Sequence, residues 1–283
     1  MNRFFLAILC LSGLLLGFVS CNDSKTISQP VIFESMMLDT VCPLFKNYDK
    51  PACHISIKFD VPSQANDADL KHAVEQFITL LPKDGAYENS SNGSVDQMIN
   101  DYVRSYIMQY LSEGPDAIDS YGEDMEAAAT WMSYEEDVEG KVMYNDKGVL
   151  SYQFHIYSYT GGAHGFTKTY NGVLDLANNS LVTSTHLFKD DKHEEVNNLL
   201  RKQLAMDNGC ESVEELIEKG QFFAPNEIEI TDNFYVSNEG ITWIFDPYDI
   251  APFNMGEISI SLSWDSIFPF LKTETSVMKL AID

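Results

Sequence analysis

Apolar and polar positions alternate in "CHISIKFD". Ile55, Ile57 and Phe59 fall on one side, and Ser56, Lys58 and Asp60 on the other. A period of two marks a strand with one buried face. "VIFESMMLDTVCPLF", just before it, reads as a second strand. The period then lengthens. Asp67 to Leu81 reads as a helix ended by Pro82. After the loop "AYENSSNGS", Ser94 and Gln97 form a capping box. Met98, Ile99, Tyr102, Val103, Tyr106, Ile107, Tyr110 and Leu111 then recur at intervals of three and four. That stripe predicts a helix packed on a core rather than an aromatic binding box.

The second half returns to period two. "GKVMYND" and "GVLSYQFHIYSY" flank Asp146-Lys147-Gly148, a hairpin signal. In the second of these strands Phe154 and Ile156 face one way, and Gln153, His155, Tyr157 and Tyr159 the other. "YSYTGGAHG" ends the strand in glycines, and "FTKTYNGVLDL" resumes as another. Asn178-Asn179 makes a turn, and "LVTSTHLF" follows it. A helix is predicted at about 192–206. A short one follows, capped by Ser212 with Glu215 and closed by Gly220. "EIEITDNFYVS", "GITWIFDPYDIAP" and "EISISLSW" read as three strands, and Asp265–Leu271 as a terminal helix. The predicted class is α+β, with antiparallel sheets packed with helices in two successive modules, 31–128 and 129–283.

The first residues do not belong to that fold. Arg3 precedes an apolar run from Phe4 to Val19, followed by small Ser20, Cys21 and polar "NDSK". The run falls short of the roughly twenty apolar residues that a bilayer span requires. Residues 1–20 therefore read as a secretory signal peptide. "FVSC" resembles the lipobox of bacterial lipoproteins, with Phe18 in place of the usual leucine. That resemblance makes Cys21 the lipidated first residue and 21–30 a tether. The expected location is an exported, membrane-anchored lipoprotein, in the outer membrane and facing the periplasm or the surface. Stable anchoring takes more than one acyl chain, which the lipoprotein modification supplies.

Charge narrows the partners. The chain carries −25, and loss of Arg3 with the signal leaves −26. Phosphate binding needs a basic face, so nucleic acid is not expected as a partner, and the membrane is met only through the anchor. Basic partners or cations are favoured. Ten acids and no Lys or Arg lie between Glu113 and Gly140. No D-x-D-x-D-G calcium loop is among them, so the run reads as a solvated face.

Once Cys10 leaves with the signal and Cys21 is acylated, Cys42, Cys53 and Cys210 remain. Two strands joined by the Pro43–Pro51 loop can set Cys42 opposite Cys53, which makes this pair the disulfide candidate in an oxidising compartment. A bridge across so short a loop contributes roughly 2–3 kcal/mol. Cys210 then stays a free thiol. No C-x-x-C, H-x-H or H-E-x-x-H is present, so no metal or other cofactor is expected.

"YSYTGGAHG", "NGVLDL", "THLF" and "WIFDPYDIAPFNMGEISISL" together resemble the extracellular module of RsiV-type anti-sigma factors. The same module precedes the catalytic domain of PdaC-type peptidoglycan deacetylases. The resemblance covers about residues 130–272, and 30–128 looks like its usual companion. It implies an α+β binding fold held outside the cytoplasm. In RsiV-type proteins the module binds lysozyme, a basic protein. No sigma-binding segment and no deacetylase domain is read in this chain, so neither of those activities is expected.

His164 is the residue with candidate chemistry. A catalytic histidine needs a nucleophile or an acid partner. No G-x-S-x-G elbow is present, and the hydroxyls of "TSTH" beside His186 suit local turns. The structural reading gives Gly161, Gly162 and Gly165 to positive φ or close backbone approach. His164 then bonds a backbone carbonyl or a buried tyrosine hydroxyl, and Pro247, Tyr248 and Pro252 form a second rigid turn against it. No catalytic residue is assigned. The binding candidates are Tyr157, Tyr159, Gly161, Gly162, His164 and Tyr248. The leading expectation is a non-enzymatic, lipid-anchored envelope binding protein that recognises a basic protein such as lysozyme. The alternatives are a cell-wall or carbohydrate-active hydrolase using His164 or His155, and a structural envelope lipoprotein.

Overall fold

The computed structural model describes residues 30–64, 68–82, 94–122 and 124–282. The signal peptide, Cys21 and the 83–93 loop therefore lie outside the described residues.

Strands β1 (Ile32–Pro43) and β2 (Ala52–Gln64) pair antiparallel, with Cys42 directly opposite Cys53. Four helices follow: α1 (Ala68–Leu80), α2 (Val95–Ser112), α3 (Gly114–Tyr121) and α4 (Met125–Trp131). The Ser94 side chain caps α2 by accepting from the Gln97 amide at 3.3 Å. The chain then enters β3 (Tyr134–Asp146), which pairs parallel with β2. The expected all-antiparallel pairing is corrected here. A long helical crossover carries the chain back to the end of the sheet at which β2 began, so the two strands run the same way.

A Lys147-Gly148 turn, with φ of +51° and +80°, joins β3 to β4 (Val149–Tyr159). Two positive φ values in a two-residue loop match the right-handed twist of a hairpin. β5 (Phe166–Asp175) and the short β6 (Ser180–Val182) complete a sheet of order β1-β2-β3-β4-β5-β6. This one sheet runs through the predicted 128/129 boundary, because β2 and β3 are neighbours.

The remaining chain packs on the β4–β6 end. "LVTSTHLF" is a strand only to Val182, and Thr183 then caps α5 (Ser184–Leu187). Next come α6 (His193–Asp207) and α7 (Val213–Lys219), the latter capped by Ser212 and closed by Gly220 at φ +65°. β7 (Phe234–Val236), β8 (Gly240–Phe245) and β9 (Ile258–Ser263) form a second, antiparallel sheet, and α8 (Trp264–Ile267) follows. Of the strand predicted in "EIEITDNFYVS", only Phe234–Val236 forms. Its first part is bound by α6 instead. Arg201 Nε donates to the Ile228 carbonyl at 2.7 Å, and the Ile230 amide donates to Asn197 Oδ1 at 2.9 Å.

Two cores use the same strands. Leu150, Tyr152, Phe154 and Leu174 face α1 and α2, together with Ile57, Phe59, Met98 and Ile99. Val149, Val173 and Val182 face the other way, toward Trp243, Phe188, Leu200 and Ile260. The alternation of a strand places successive side chains on opposite faces. Here both faces are covered, and Val149–Phe154 is buried throughout. Each fully buried large apolar side chain contributes about 1.5–3 kcal/mol.

The α2 stripe packs mainly inward, although Leu111 is exposed. The acidic run between Glu113 and Gly140 is not wholly a solvated face. Glu136, on the inner face of β3, is buried and accepts from the Tyr102 hydroxyl. Its carboxyl is pushed above the usual range, chiefly by burial, while hydrogen bonds from Ser158 and Tyr102 oppose the shift.

Candidate functional site

β4 ends at Tyr159 and the glycine loop begins. Gly161 and Gly162 have φ of +86° and +97°. A Cβ on Gly161 would overlap the Trp131 carbonyl oxygen, so the loop is pressed against the end of α4. A Cβ on Gly165 would come within 2.5 Å of the Tyr157 ring. Gly165 is thus required for close approach rather than for positive φ. The Tyr159 hydroxyl closes the loop by donating to the Gly162 carbonyl at 3.0 Å.

A second turn follows β8. The Asp246 amide donates to Asp249 Oδ2 at 2.8 Å, the Asp249 amide to the Asp246 carbonyl at 3.0 Å, and the Tyr248 amide to the Ala251 carbonyl at 3.1 Å. Tyr248 itself has φ +75°, which is uncommon for a bulky residue and costs about 1–3 kcal/mol.

The two turns meet. The His164 ring stacks on Phe253 with centroids 4.0 Å apart and planes at 25°, and Tyr248 lies 5.7 Å beyond Phe253 at 32°. Tyr248 is 57% exposed and His164 is exposed too. The three rings make an open aromatic ledge. The expected packing of the Pro247–Pro252 turn against the glycine loop is present in this stack. Of the two partners expected for His164, the structure gives the backbone carbonyl: its Nδ1 lies 3.0 Å from that of Gly165, at the surface, and not against a tyrosine hydroxyl. Phe253, the middle ring, was not among the sequence candidates. It stands inside "DPYDIAPFN", two residues past Ala251, and nothing in its spacing marks it.

Beneath the ledge, polar side chains close the edge of β5. The Thr169 amide donates to Asp246 Oδ1 at 2.8 Å, and the Asn171 amide to Asn233 Oδ1 at 2.8 Å. Asn233 Nδ2 donates back to the Thr169 carbonyl at 2.9 Å. These side chains stand where a neighbouring strand would pair. Asp246 is buried, with Lys168 Nζ 2.9 Å from its Oδ2. Burial raises its carboxyl above the ordinary range, and the bonds from Lys168 and Thr169 oppose the shift.

His155 sits on the same face. Its Nδ1 is 2.9 Å from the Thr169 hydroxyl, which in turn donates to Glu257. A hydroxyl has one proton, so Thr169 can only accept from the ring. His155 Nδ1 therefore donates to the Thr169 hydroxyl.

Residues 47–167 match the family model described as deacetylase PdaC, and residues 185–265 match the protein of unknown function DUF3298. The chain carries a PdaC-like segment followed by a DUF3298-like segment. The chain is similar to the peptidoglycan-N-acetylmuramic acid deacetylase PdaC of Bacillus subtilis, with 23% identity over 192 residues. That match takes in 66% of this chain and 38% of the deacetylase, so the chain spans well under half of that protein. Among solved structures, a DUF3298-family member from Bacteroides fragilis superposes with TM-score 0.78 at 27% identity, covering 91% of this chain and 99% of that one. A DUF3298-family protein from Pseudomonas aeruginosa shares the fold, with TM-score 0.60 and 14% identity over 87% and 97% of the two chains.

The ledge takes one side from each matched segment. Tyr157, Tyr159 and His164 belong to the PdaC-like segment, and Tyr248 and Phe253 to the DUF3298-like one. Elsewhere, Cys42 and Cys53 are opposed as free thiols, and Cys210 is a buried free thiol. Burial, then the neighbouring Cys42, pushes the Cys53 thiol up to about 11. Among the described residues no group of three or more His, Cys, Asp or Glu side chains is placed to hold a metal, and no helix is long and apolar enough to cross a membrane.

Proposed function

We propose that this chain is an exported envelope lipoprotein, anchored through Cys21, that binds a basic protein at the His164–Phe253–Tyr248 ledge without catalysing a reaction. The ledge carries this reading. Exposed aromatic side chains that are already ordered lose little freedom when a partner covers them, and such rings anchor protein interfaces. A net charge of −26 after signal removal favours and steers a cationic partner. The resemblance to RsiV-type modules names lysozyme as the first basic protein to try. The test is capture of basic envelope-active proteins, lysozyme included, by the parent and by Tyr248→Ala. The parent should retain lysozyme in moderate salt, and Tyr248→Ala should lose it without melting lower. Equal retention by both proteins refutes the ledge.

A second reading, a cell-wall hydrolase, is favoured by the His155–Thr169–Glu257 chain. A carboxylate behind a hydroxyl behind Nδ1–H orients the ring, and its neutral form then offers Nε2 as a base. Release of acetate or sugar fragments from peptidoglycan, abolished by His155→Gln, would establish it in place of the binding reading.

A further inference from the structure

β1 is an edge of the six-stranded sheet, and among the described residues it pairs with β2 alone. Its free groups follow from the ladder. The Leu44 amide donates to the Pro51 carbonyl at 2.8 Å, and opposed residues of an antiparallel pair are bonded at every second position. In the register that sets Cys42 opposite Cys53, the even-numbered residues of β1 therefore bond to β2. The odd ones, Phe33, Ser35, Met37, Asp39 and Val41, aim their amides and carbonyls away from the sheet. Pro43, next in that series, has no amide to leave unpaired, and this is where an edge strand tolerates proline. Proteins ordinarily guard such an edge with lysine, proline, a bulge or shortness. The other edge of this sheet, β6, is three residues long. Between the irregularity at Ile32/Phe33 and Pro43, β1 has none of these guards. Met37 is 72% exposed and Val41 58%, and Met36 and Leu38 are only partly buried.

We infer that this edge is covered by a second copy of the chain, the two β1 strands pairing antiparallel about a two-fold axis at Met37. That register sets Phe33 against Val41, Glu34 against Thr40, Ser35 against Asp39, Met36 against Leu38, and Met37 against its counterpart. Every apolar side chain meets an apolar one, and every acid meets a hydroxyl. A slip of one residue sets Asp39 against Met37 or Phe33, and a slip of two in one direction sets it against itself, where like charges destabilise. Asp39 Oδ2 already lies 3.0 Å from His54 Nε2 in its own chain. The pairing does not need that carboxylate, because backbone groups make the bonds. Self-complementarity selects a copy over a foreign strand. In a two-fold interface each residue meets the one that meets it, so all five outward residues exchange both backbone groups. Met36 and Leu38 complete each other's half-made packing. Two chains of net charge −25 repel, and salt screens that repulsion, so pairing should strengthen as salt is added. The inference does not rest on the ledge.

The experiment is oxidative cross-linking of cysteine variants of the full-length protein, read on non-reducing gels. Opposed residues that exchange bonds have Cα atoms about 5.5 Å apart, within disulfide reach. Met37→Cys should therefore give a linked dimer, and the parent should not. Ser35→Cys and Asp39→Cys should each stay monomeric, because a residue and its own counterpart lie about 14 Å apart at these positions. Mixed in equal amounts, those two variants should link. Adding Met37→Lys to both sets like charges opposite each other and should bring the mixture down to the level of either variant alone. The three positions are exposed, so circular dichroism should match the parent throughout. As much dimer from Ser35→Cys alone as from Met37→Cys would mean random collision, and would overturn the inference. So would no dimer from Met37→Cys, or its linkage to a protein of another mass, which would reveal a foreign strand at the edge. A dimer that weakens as salt is added would be held by charge and not by this ladder, and would overturn it too.

Discussion

Gly161 is where the ledge can be tested from below. A Cβ at this position faces two separate costs. The backbone is at φ +86°, which an L side chain adopts only under strain of about 1–3 kcal/mol. The Cβ would also overlap the carbonyl oxygen of Trp131, a backbone atom that can retreat only if the end of α4 and the start of β3 move with it. Forcing atoms into a filled space costs about 1–3 kcal/mol more. Gly162 separates the two effects. Its φ is +97°, yet a Cβ there would meet nothing within 4 Å. Gly162→Ala should therefore cost only the backbone part, about 1–3 kcal/mol, and Gly161→Ala about 2–6 kcal/mol. At ~2–4 °C per kcal/mol for a protein of this size, Gly161→Ala should melt about 10 °C lower and Gly162→Ala less than that. Thermal melts of the parent and both variants decide it. Equal melting of the two variants would show that the loop is not held against Trp131, and an unchanged Gly161→Ala would refute the reasoning altogether.

Three further outcomes are expected. Cys21→Ser should release the protein from membranes into the soluble fraction; a variant still processed and still sedimenting in high salt would count against lipidation. Non-reducing peptide mapping of exported protein should find Cys42 joined to Cys53 and Cys210 free, and reduction should cost roughly 2–3 kcal/mol; three alkylated thiols would refute the bridge. Glu136 should make stability fall with rising pH. Its folded carboxyl sits above the ordinary 4.5, so the folded state keeps a proton that the unfolded chain releases. Stability is full below 4.5 and declines as pH climbs through the raised value, by about 1.4 kcal/mol per unit of separation. Glu136→Gln should flatten that decline in denaturant melts across pH, and parallel profiles for the two proteins would contradict it.

Much of the architecture was legible because it was local. The Ser94 and Ser212 caps, the Lys147-Gly148 turn and the Gly220 stop each depend on a few neighbouring residues. Strand direction was not legible. Alternation tells which side chains share a face, and it is the same whether β3 runs with β2 or against it. The 227–233 segment alternates as a strand should, but Asn197 and Arg201 from a helix some thirty residues earlier take its backbone groups, and a local pattern cannot register that. Glu136 looked like one more solvated acid because burial depends on α2 lying over it. At the ledge, the glycine loop and the proline turn were readable from composition. The exposure of His164 and the place of Phe253 were not, since a lone ring carries no period.

The sharing of β4 and β5 between two cores has a consequence for how the molecule comes apart. Val149 and Leu150 are neighbours in the chain, yet one is packed on the Trp243 core and the other on the Phe59 core. If the helices α1 and α2 detach, the strands that support the β7–β9 side lose the backing of their opposite face. The β5 edge would also lose its anchorage on Asn233 and Asp246 if the second sheet left first. Neither half keeps a closed core on its own. Heat or denaturant should therefore remove both in a single cooperative step, with calorimetric and van't Hoff enthalpies in agreement, although two family models divide the chain.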